Sequence, residues 1–152
     1  MKKVFYTLFI IATIFASCNN KKVYDKYNHT PLAGWEKNDT LSFDVPRLAH
    51  AGSYSSQLGL RINGVYPFMG LTLIVEQQIL PSRKIVVDTI QCELIDKNGT
   101  TNGQGINYYQ YNYPITHLFL NKGDSLHIAI RHDMKREILP GISDIGYQLT
   151  SN

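Results

Sequence analysis

The chain has 152 residues, of which 43% are hydrophobic and 18% are charged. This length suits one folded domain, and the hydrophobic content excludes intrinsic disorder for most of the chain. Of the 15 basic side chains, two (Lys2 and Lys3) lie in a leader segment, which leaves 13 basic against 12 acidic side chains. Because basic and acidic side chains nearly cancel, the chain lacks the excess of positive charge that is typical of nucleic-acid-binding proteins.

The first 17 residues are organised like a bacterial lipoprotein signal peptide. A positive start at Lys2 and Lys3 precedes an uncharged apolar run over 4–16, which is shorter than the roughly 20 residues needed to span a bilayer. Phe15-Ala16-Ser17-Cys18 then resembles a lipobox, whose Cys is acylated after cleavage. We therefore predict a signal peptide over 1–17 and lipidation, with palmitate-type chains, at Cys18. The alternative is an ordinary secretory signal in which Cys18 is incidental.

The residues after the leader are polar and predict a lipidated Cys followed by a tether over 18–31. No Asp stands directly after Cys18, where it favours inner-membrane retention, and no acidic run of the kind that directs export to the cell surface follows. These features predict an anchor in the outer membrane with the domain facing the periplasm.

The remaining cysteine is predicted to be a small buried hydrophobe. Cys92 shares one face of an alternating run with Ile90 and Leu94. If Cys18 is acylated, Cys92 has no partner for an intramolecular disulfide.

From residue 41 onward the hydrophobic pattern has a period of two, which is typical of β-strands. The predicted strands, in chain order, are 41–45, 54–62, 71–76 (or, with a continuation, 71–79), 85–95, 105–113, 117–120, 126–131 and 144–150. The turn Asp96-Lys97-Asn98-Gly99 predicts a hairpin joining 85–95 to 105–113, with Pro114 ending the second strand. Residues 135–139 are compatible with one helical turn. About eight strands without helical periodicity predict a single all-β domain over 32–152, an antiparallel β-sandwich that is immunoglobulin-like or jelly-roll-like.

Patterns that carry catalysis or bind metals do not emerge from the sequence. His127 and His132 lie five apart on one predicted strand, so their side chains point to opposite faces. The segment Asp96 to Thr100 loosely resembles a calcium loop but lacks the bidentate acid that ends one. We therefore expect no enzyme, no metal site and no cofactor.

Three tyrosines form the most suggestive pattern. Tyr109, Tyr111 and Tyr113 share one face of a predicted strand, and Tyr108 lies on the other face. Exposed tyrosines on a sandwich stack on sugars or anchor a protein partner. The alternative, which the pattern favours, is cross-strand packing. If any part of the sandwich is a partner-binding face, we predict that these three tyrosines mark it.

The late segment 130–136, followed by 139–146, resembles the C-terminal signature of the gliding motility lipoprotein GldH family of Bacteroidota. Further segments that match in the same order are Val23-Tyr24-Asp25-Lys26-Tyr27, Trp35-Glu36-Lys37, Leu60-Arg61-Ile62, Tyr66-Pro67-Phe68, Asp88-Thr89-Ile90 and Gly103-Gln104-Gly105. The resemblance spans Cys18 to Leu149. Within the signature, Gly141 and Gly146 predict backbone positions that exclude a Cβ, and Asp144 is predicted to cap a turn or to pair with Arg131 or Arg136.

The resemblance implies a lipid-anchored, non-enzymatic protein that is a structural or interaction component of a gliding-type envelope complex. Its implied partners are the membrane, through the lipid anchor, and other envelope or gliding-apparatus proteins. The alternative is a carbohydrate-binding lipoprotein of a nutrient-uptake system that uses the tyrosine stripe.

Three Asp-Ser/Thr-apolar triplets fit the pattern of periplasmic O-glycosylation in Bacteroidota. They begin at Asp39, Asp88 and Asp124 and predict modification of Thr40, Thr89 and Ser125. The alternative is that these polar pairs simply flank strands.

Overall fold

The computed structural model describes residues 21–152, so the predicted signal peptide and Cys18 lie outside the described residues. Within this range the chain forms ten β-strands and no α-helix. The strands are β1 (Lys22–His29), β2 (Trp35–Glu36), β3 (Leu41–Val45), β4 (Gly52–Asn63), β5 (Gly70–Leu80), β6 (Lys84–Glu93), β7 (Tyr108–Leu120), β8 (Ser125–His132), β9 (Ile138–Leu139) and β10 (Ile142–Ser151).

Eight of these strands form two four-stranded antiparallel sheets that pack face to face. The first sheet has the order β1-β10-β4-β7 and the second the order β3-β8-β5-β6, while β2 and β9 form a two-stranded ribbon. Among these eight strands, β5 and β6 are the one consecutive pair that belongs to the same sheet. Every other connection crosses from one sheet to the other. This alternation is the jelly-roll arrangement. The predicted all-β antiparallel sandwich is therefore confirmed, in its jelly-roll-like form.

The core lies between the two sheets and is built by the alternation seen in the sequence. On β8, Leu126, Ile128 and Ile130 are buried, and on β10 Tyr147 and Leu149 face them from the other sheet. Burial of each such side chain contributes about 1.5–3 kcal/mol. Where one face of a strand is strongly apolar, the period of two therefore predicts which of its residues form the core.

The tether prediction is wrong from residue 22 onward. Residues 22–29 form β1, an edge strand that pairs with β10 from Lys22↔Thr150 to His29↔Asp144. Only Tyr24 among them is buried, because the other face of this edge strand is in solvent. The domain thus begins at residue 22 and not at 32. A polar edge strand carries too little apolar alternation to be recognised in the sequence.

The predicted hairpin is also wrong. β6 pairs with β5, and β7 pairs with β4 in the opposite sheet, so the connection 94–107 crosses the sandwich. The Asp96–Gly99 turn closes only an isolated bridge between Ile95 and Thr101. A turn sequence predicts that the chain reverses direction locally, but it does not determine which strands pair with each other.

Two smaller expectations are corrected as well. Pro114 lies inside β7, opposite Gln57 and next to a bulge, and it is tolerated there because β7 is an edge strand. Residues 135–139 form no helical turn: Ile138 and Leu139 pair with Glu36 and Trp35.

Candidate binding face along the tyrosine strand

The three tyrosines of β7 share one strand face, as predicted, but that face points inward. Tyr111 is only 4% exposed, and Tyr109 and Tyr113 are half-buried. Tyr108, on the opposite face, is 60% exposed. Of the two readings of the stripe, packing therefore holds for Tyr111, because the inner face of β7 closes the open side of the sandwich.

The tyrosine hydroxyls bridge the two sheets. Tyr113 donates a hydrogen bond to the carbonyl of Glu93 (2.9 Å), and Tyr111 donates to the carbonyl of Leu94 (3.4 Å). The Tyr111 hydroxyl also lies 3.0 Å from Thr101 Oγ1. The Tyr111 and Tyr113 rings stack with centroids 6.2 Å apart and planes 8° apart. These contacts attach β7 to the end of β6 and to the loop that follows it, and burial raises the pKa of Tyr113.

A polar groove of about 400 Å³ opens beside these rings. Besides Tyr111 and Tyr113, its lining residues are Glu93, Asn102, Gln104, Gln110 and Asn112. Apart from Glu93, the lining is neutral and rich in amides, which donate and accept hydrogen bonds with equal ease. The groove is therefore suited to a neutral polar ligand or to polar groups of a protein partner.

The outer face of the first sheet carries a feature that sequence reasoning missed. The Tyr27 ring lies across Gly59 of β4 and Gly146 of β10, at positions where an added Cβ would collide with the ring. The Arg61 guanidinium sits 4.0 Å from the centroid of the same ring, and Gln110 Nε2 lies 3.4 Å from the Tyr27 hydroxyl. Glycines inside strands were the available signal, since they often mark a close approach of another group.

This Tyr27 cluster brings together three segments that carry the family resemblance. Residues 23–27 supply the ring, 60–62 supply the guanidinium, and 139–146 supply one of the two glycines. The Tyr27 ring and the Arg61 guanidinium are held by contacts from separate strands, so the cluster is a preformed aromatic and cationic surface. Tyr and Arg are the side chains most enriched at the centres of protein interfaces.

Asp144 does not pair with Arg131 or Arg136. Its carboxylate contacts His29 Nδ1 on the neighbouring strand, and Ser143 Oγ donates to it (2.9 Å). The Cα register explains the difference, since β10 places His29 directly opposite Asp144.

The remainder of the late signature builds the end of the sandwich that holds the β2–β9 ribbon. His132 is fully buried, with Nε2 3.2 Å from the carbonyl of Trp35 and its ring edge-on to the indole. Burial lowers the pKa of His132. Gly141 has φ 81° and lies against the backbone of Tyr66, so the expected need for glycine is confirmed there, as it is at Gly146.

Other predicted residues have simple placements. Cys92 is buried as expected, and burial raises the pKa of its thiol to about 12. His127 points outward to Asp44 (2.7 Å), on the face opposite to that of His132. Within residues 21–152, no group of three or more His, Cys, Asp or Glu side chains is arranged to hold a metal ion.

The three predicted glycosylation residues differ in accessibility. Thr40 is exposed just before β3, and Thr89 is exposed on the outward side of edge strand β6. Ser125 is half-buried at the start of β8.

The structure defines a small jelly-roll domain whose first strand starts four residues after a candidate acylation site. Residues 22–149 match the family described as GldH lipoprotein, and the chain belongs to this family. No helix that is long and apolar enough to cross a membrane occurs in residues 21–152.

Two relatives align over nearly their whole lengths. The chain is 31% identical to "Gliding motility lipoprotein GldH" of Flavobacterium johnsoniae, over 93% of this chain and 92% of that protein. It is 25% identical to "Gliding motility lipoprotein GldH homolog" of Christiangramia forsetii, over 98% of this chain and 97% of that protein.

Several solved structures share a distant likeness with the chain. They include a family 35 carbohydrate binding module from Clostridium thermocellum (TM-score 0.40, 10% identity, 85% of this chain and 92% of that one). They also include Eiger TNF from S. frugiperda (TM-score 0.38, 11% identity, 88% of this chain and 94% of that one).

Proposed function

We propose that this chain is a non-enzymatic, lipid-anchored component of a gliding-type cell-envelope complex, held in the outer membrane and facing the periplasm. The observation that carries the proposal is membership of the GldH lipoprotein family over residues 22–149, together with full-length relatives named as gliding motility lipoproteins. The buried polar side chains have folding roles that suit such a protein. Gln77, for example, accepts from the Tyr147 hydroxyl (2.7 Å) and donates to Asp88 (3.3 Å) inside the core.

Attachment to the membrane is proposed to depend on acylated Cys18. A single acyl chain holds a protein only marginally, whereas two or more chains give stable anchoring. We expect Cys18→Ser to leave the protein unprocessed or to release it from membranes. The measurement is metabolic acyl labelling combined with fractionation of inner and outer membranes. Normal processing and salt-resistant sedimentation of Cys18→Ser with the outer membrane would refute the anchor.

Docking of a protein partner is proposed on the first sheet, along β7 and the Tyr27 cluster. Tyr108 is exposed on the outer face of β7, the face that carries the Tyr27 cluster. Tyr111 holds the strand from the inner face, where Tyr109 and Tyr113 are half-buried. Large aromatic rings surrounded by neutral amides match the composition of interface centres.

The test is recovery of the native complex from solubilised membranes with a tagged chain. Tyr27→Ser and Tyr108→Ser should reduce recovery of copurifying proteins while preserving the fold. Gln78→Ser is a matched control, because Gln78 lies on the outward face of the other sheet. Full recovery with both tyrosine variants, or an equal loss with the control, would exclude this face.

A second candidate function is binding of a neutral carbohydrate, and the groove of amides beside Tyr113 is the observation that favours it. Saturable binding of neutral oligosaccharides that is lost in Gln110→Ala and Asn112→Ala would support this function. Loss of complex recovery without any glycan binding would favour the protein partner.

Thr40, Thr89 and Ser125 are proposed as O-glycosylation sites of the exported chain. Exposure at Thr40 and Thr89 would give a modifying enzyme direct access, whereas half-buried Ser125 would be modified to a smaller extent. Intact-mass analysis of the native protein and of Thr40→Ala, Thr89→Ala and Ser125→Ala tests each site. An unmodified native mass would rule out all three.

A further inference from the structure

The topology gathers the start of the domain and three loops at one end of the sandwich. The loops are 46–51, 81–83 and 121–124, which join β3 to β4, β5 to β6 and β7 to β8. Leu48 N donates to the carbonyl of Asp124 (2.8 Å), and Leu80 lies opposite Ser125. Lys21 joins the same end, because its carbonyl accepts from Ser151 N (2.8 Å). We call this part of the domain, formed by the three loops and the start of β1, the basic end.

Nearly all charged side chains at the basic end are cations. Segments 21–22, 46–51, 81–84 and 121–124 hold six basic side chains against one carboxylate, that of Asp124. The six are Lys21, Lys22, Arg47, Arg83, Lys84 and Lys122. All six are exposed, and among the salt bridges of residues 21–152 only Lys22 takes part, with Asp25 at 2.9 Å.

The opposite end has a different balance. Its connections, over 30–40, 64–69, 94–107 and 133–141, hold four basic and five acidic side chains. The nearly neutral total charge of the domain therefore conceals a strong asymmetry along its long axis. A net charge computed from the sequence averages over this difference.

The basic end is also the end nearest to the proposed anchor. Lys22, the first residue of β1, stands four positions after Cys18, and a fully extended chain spans at most about 3.6 Å per residue. The start of β1 therefore lies within about 14 Å of Cys18. This connection is short enough to let the basic end come within the Debye length of about 8 Å from the membrane surface, the range in which exposed charges still interact at physiological salt.

We propose that the basic end is a membrane-contacting surface that binds anionic phospholipid headgroups. It supplies a second attachment signal next to the acyl chains, and it thereby orients the sandwich with the opposite end away from the bilayer. Phe119 belongs to this surface, since it is 77% exposed near the end of β7 and pairs with Ser53 beside the loop 46–51. An exposed Phe beside Lys and Arg is the combination with which interfacial segments enter the boundary between headgroups and acyl chains.

This inference rests on the anchor proposed above, but its test does not require Cys18. A chain of residues 21–152 contains all ten strands and the whole core, so it folds without the leader. Its binding to phosphatidylcholine vesicles with and without phosphatidylglycerol is measured by cosedimentation. We expect binding only to the anionic vesicles and a steady loss of binding as salt is raised.

Matched variants separate this surface from general electrostatics. Each cation near an anionic surface increases binding about fivefold, so Arg83→Ala with Lys84→Ala should weaken binding roughly 25-fold. Lys135→Ala with Arg136→Ala removes the same charge at the opposite end, where both side chains are exposed, and should change binding less than twofold. Phe119→Ser should weaken binding without changing its salt dependence.

Three results would overturn the proposal. They are no binding to anionic vesicles at low salt, equal losses for the two double variants, and retention by an anionic polysaccharide but not by vesicles. Because the chain of residues 21–152 used in this test lacks Cys18, none of these results bears on the anchor. Fractionation of Cys18→Ser tests the anchor separately.

Discussion

Truncation of Tyr111 tests the conclusion that the tyrosine strand packs inward. The Tyr111 ring is 4% exposed and stacks on Tyr113, so Tyr111→Ala leaves a cavity between the sheets. Truncations of buried aromatic side chains cost about 3–5 kcal/mol. Domains of this size have a free energy of unfolding of about 5–15 kcal/mol, so we expect a large fraction of the stability to be lost.

The hydroxyl of Tyr111 makes a smaller contribution that is measured separately. Tyr111→Phe keeps the ring and removes the contacts to Thr101 Oγ1 (3.0 Å) and to the carbonyl of Leu94 (3.4 Å). A net loss of about 1 kcal/mol is expected. A double-mutant cycle with Thr101→Ala should show that the two losses are not additive, because the side chains are in contact.

Urea unfolding of the chain 21–152, followed by circular dichroism, is the assay. Tyr108→Ala is the control, since Tyr108 is the exposed tyrosine of the same strand and should change the free energy of unfolding by no more than about 0.5 kcal/mol. If Tyr111→Ala costs less than about 1 kcal/mol, or if Tyr108→Ala costs as much as Tyr111→Ala, the inward packing of this strand is wrong.

Three further predictions follow from buried groups. Gly146→Ala places a Cβ about 2.6 Å from the Tyr27 ring, so we expect a loss of about 1–3 kcal/mol in the free energy of urea unfolding. Combining it with Tyr27→Ala should remove most of this loss, and additive losses would contradict the contact. Burial lowers the pKa of His132 below the usual value of about 6.5, so the unfolded chain takes up a proton first as pH falls. At pH values below about 6.5 the free energy of unfolding should therefore decrease, by at most about 1.4 kcal/mol per pH unit. His132→Gln should reduce this pH dependence. Burial raises the pKa of Cys92 to about 12, so its thiol should react with Ellman's reagent only after unfolding, and rapid labelling of the native chain would contradict its burial.

Local alternation determined much of the strand content. The predicted strand 41–45 coincides with β3, and the face shared by Ile90, Cys92 and Leu94 was recognised correctly, because strongly apolar residues at every second position have only one stable arrangement on a sheet. The family resemblance, which is confirmed, was likewise carried by contiguous residues. It depends on the order of residues along the chain and not on contacts across it.

Tertiary structure decided the features that involve separate segments. A period of two places Tyr109, Tyr111 and Tyr113 on one face, but only the opposing sheet determines that this face is covered. Likewise the Tyr27 cluster and the basic end each join segments that are far apart in the sequence, and strand order alone makes them neighbours. β1 remained hidden for the same physical reason: its pairing with β10 is made by backbone hydrogen bonds, which leave almost no trace in the identities of its side chains.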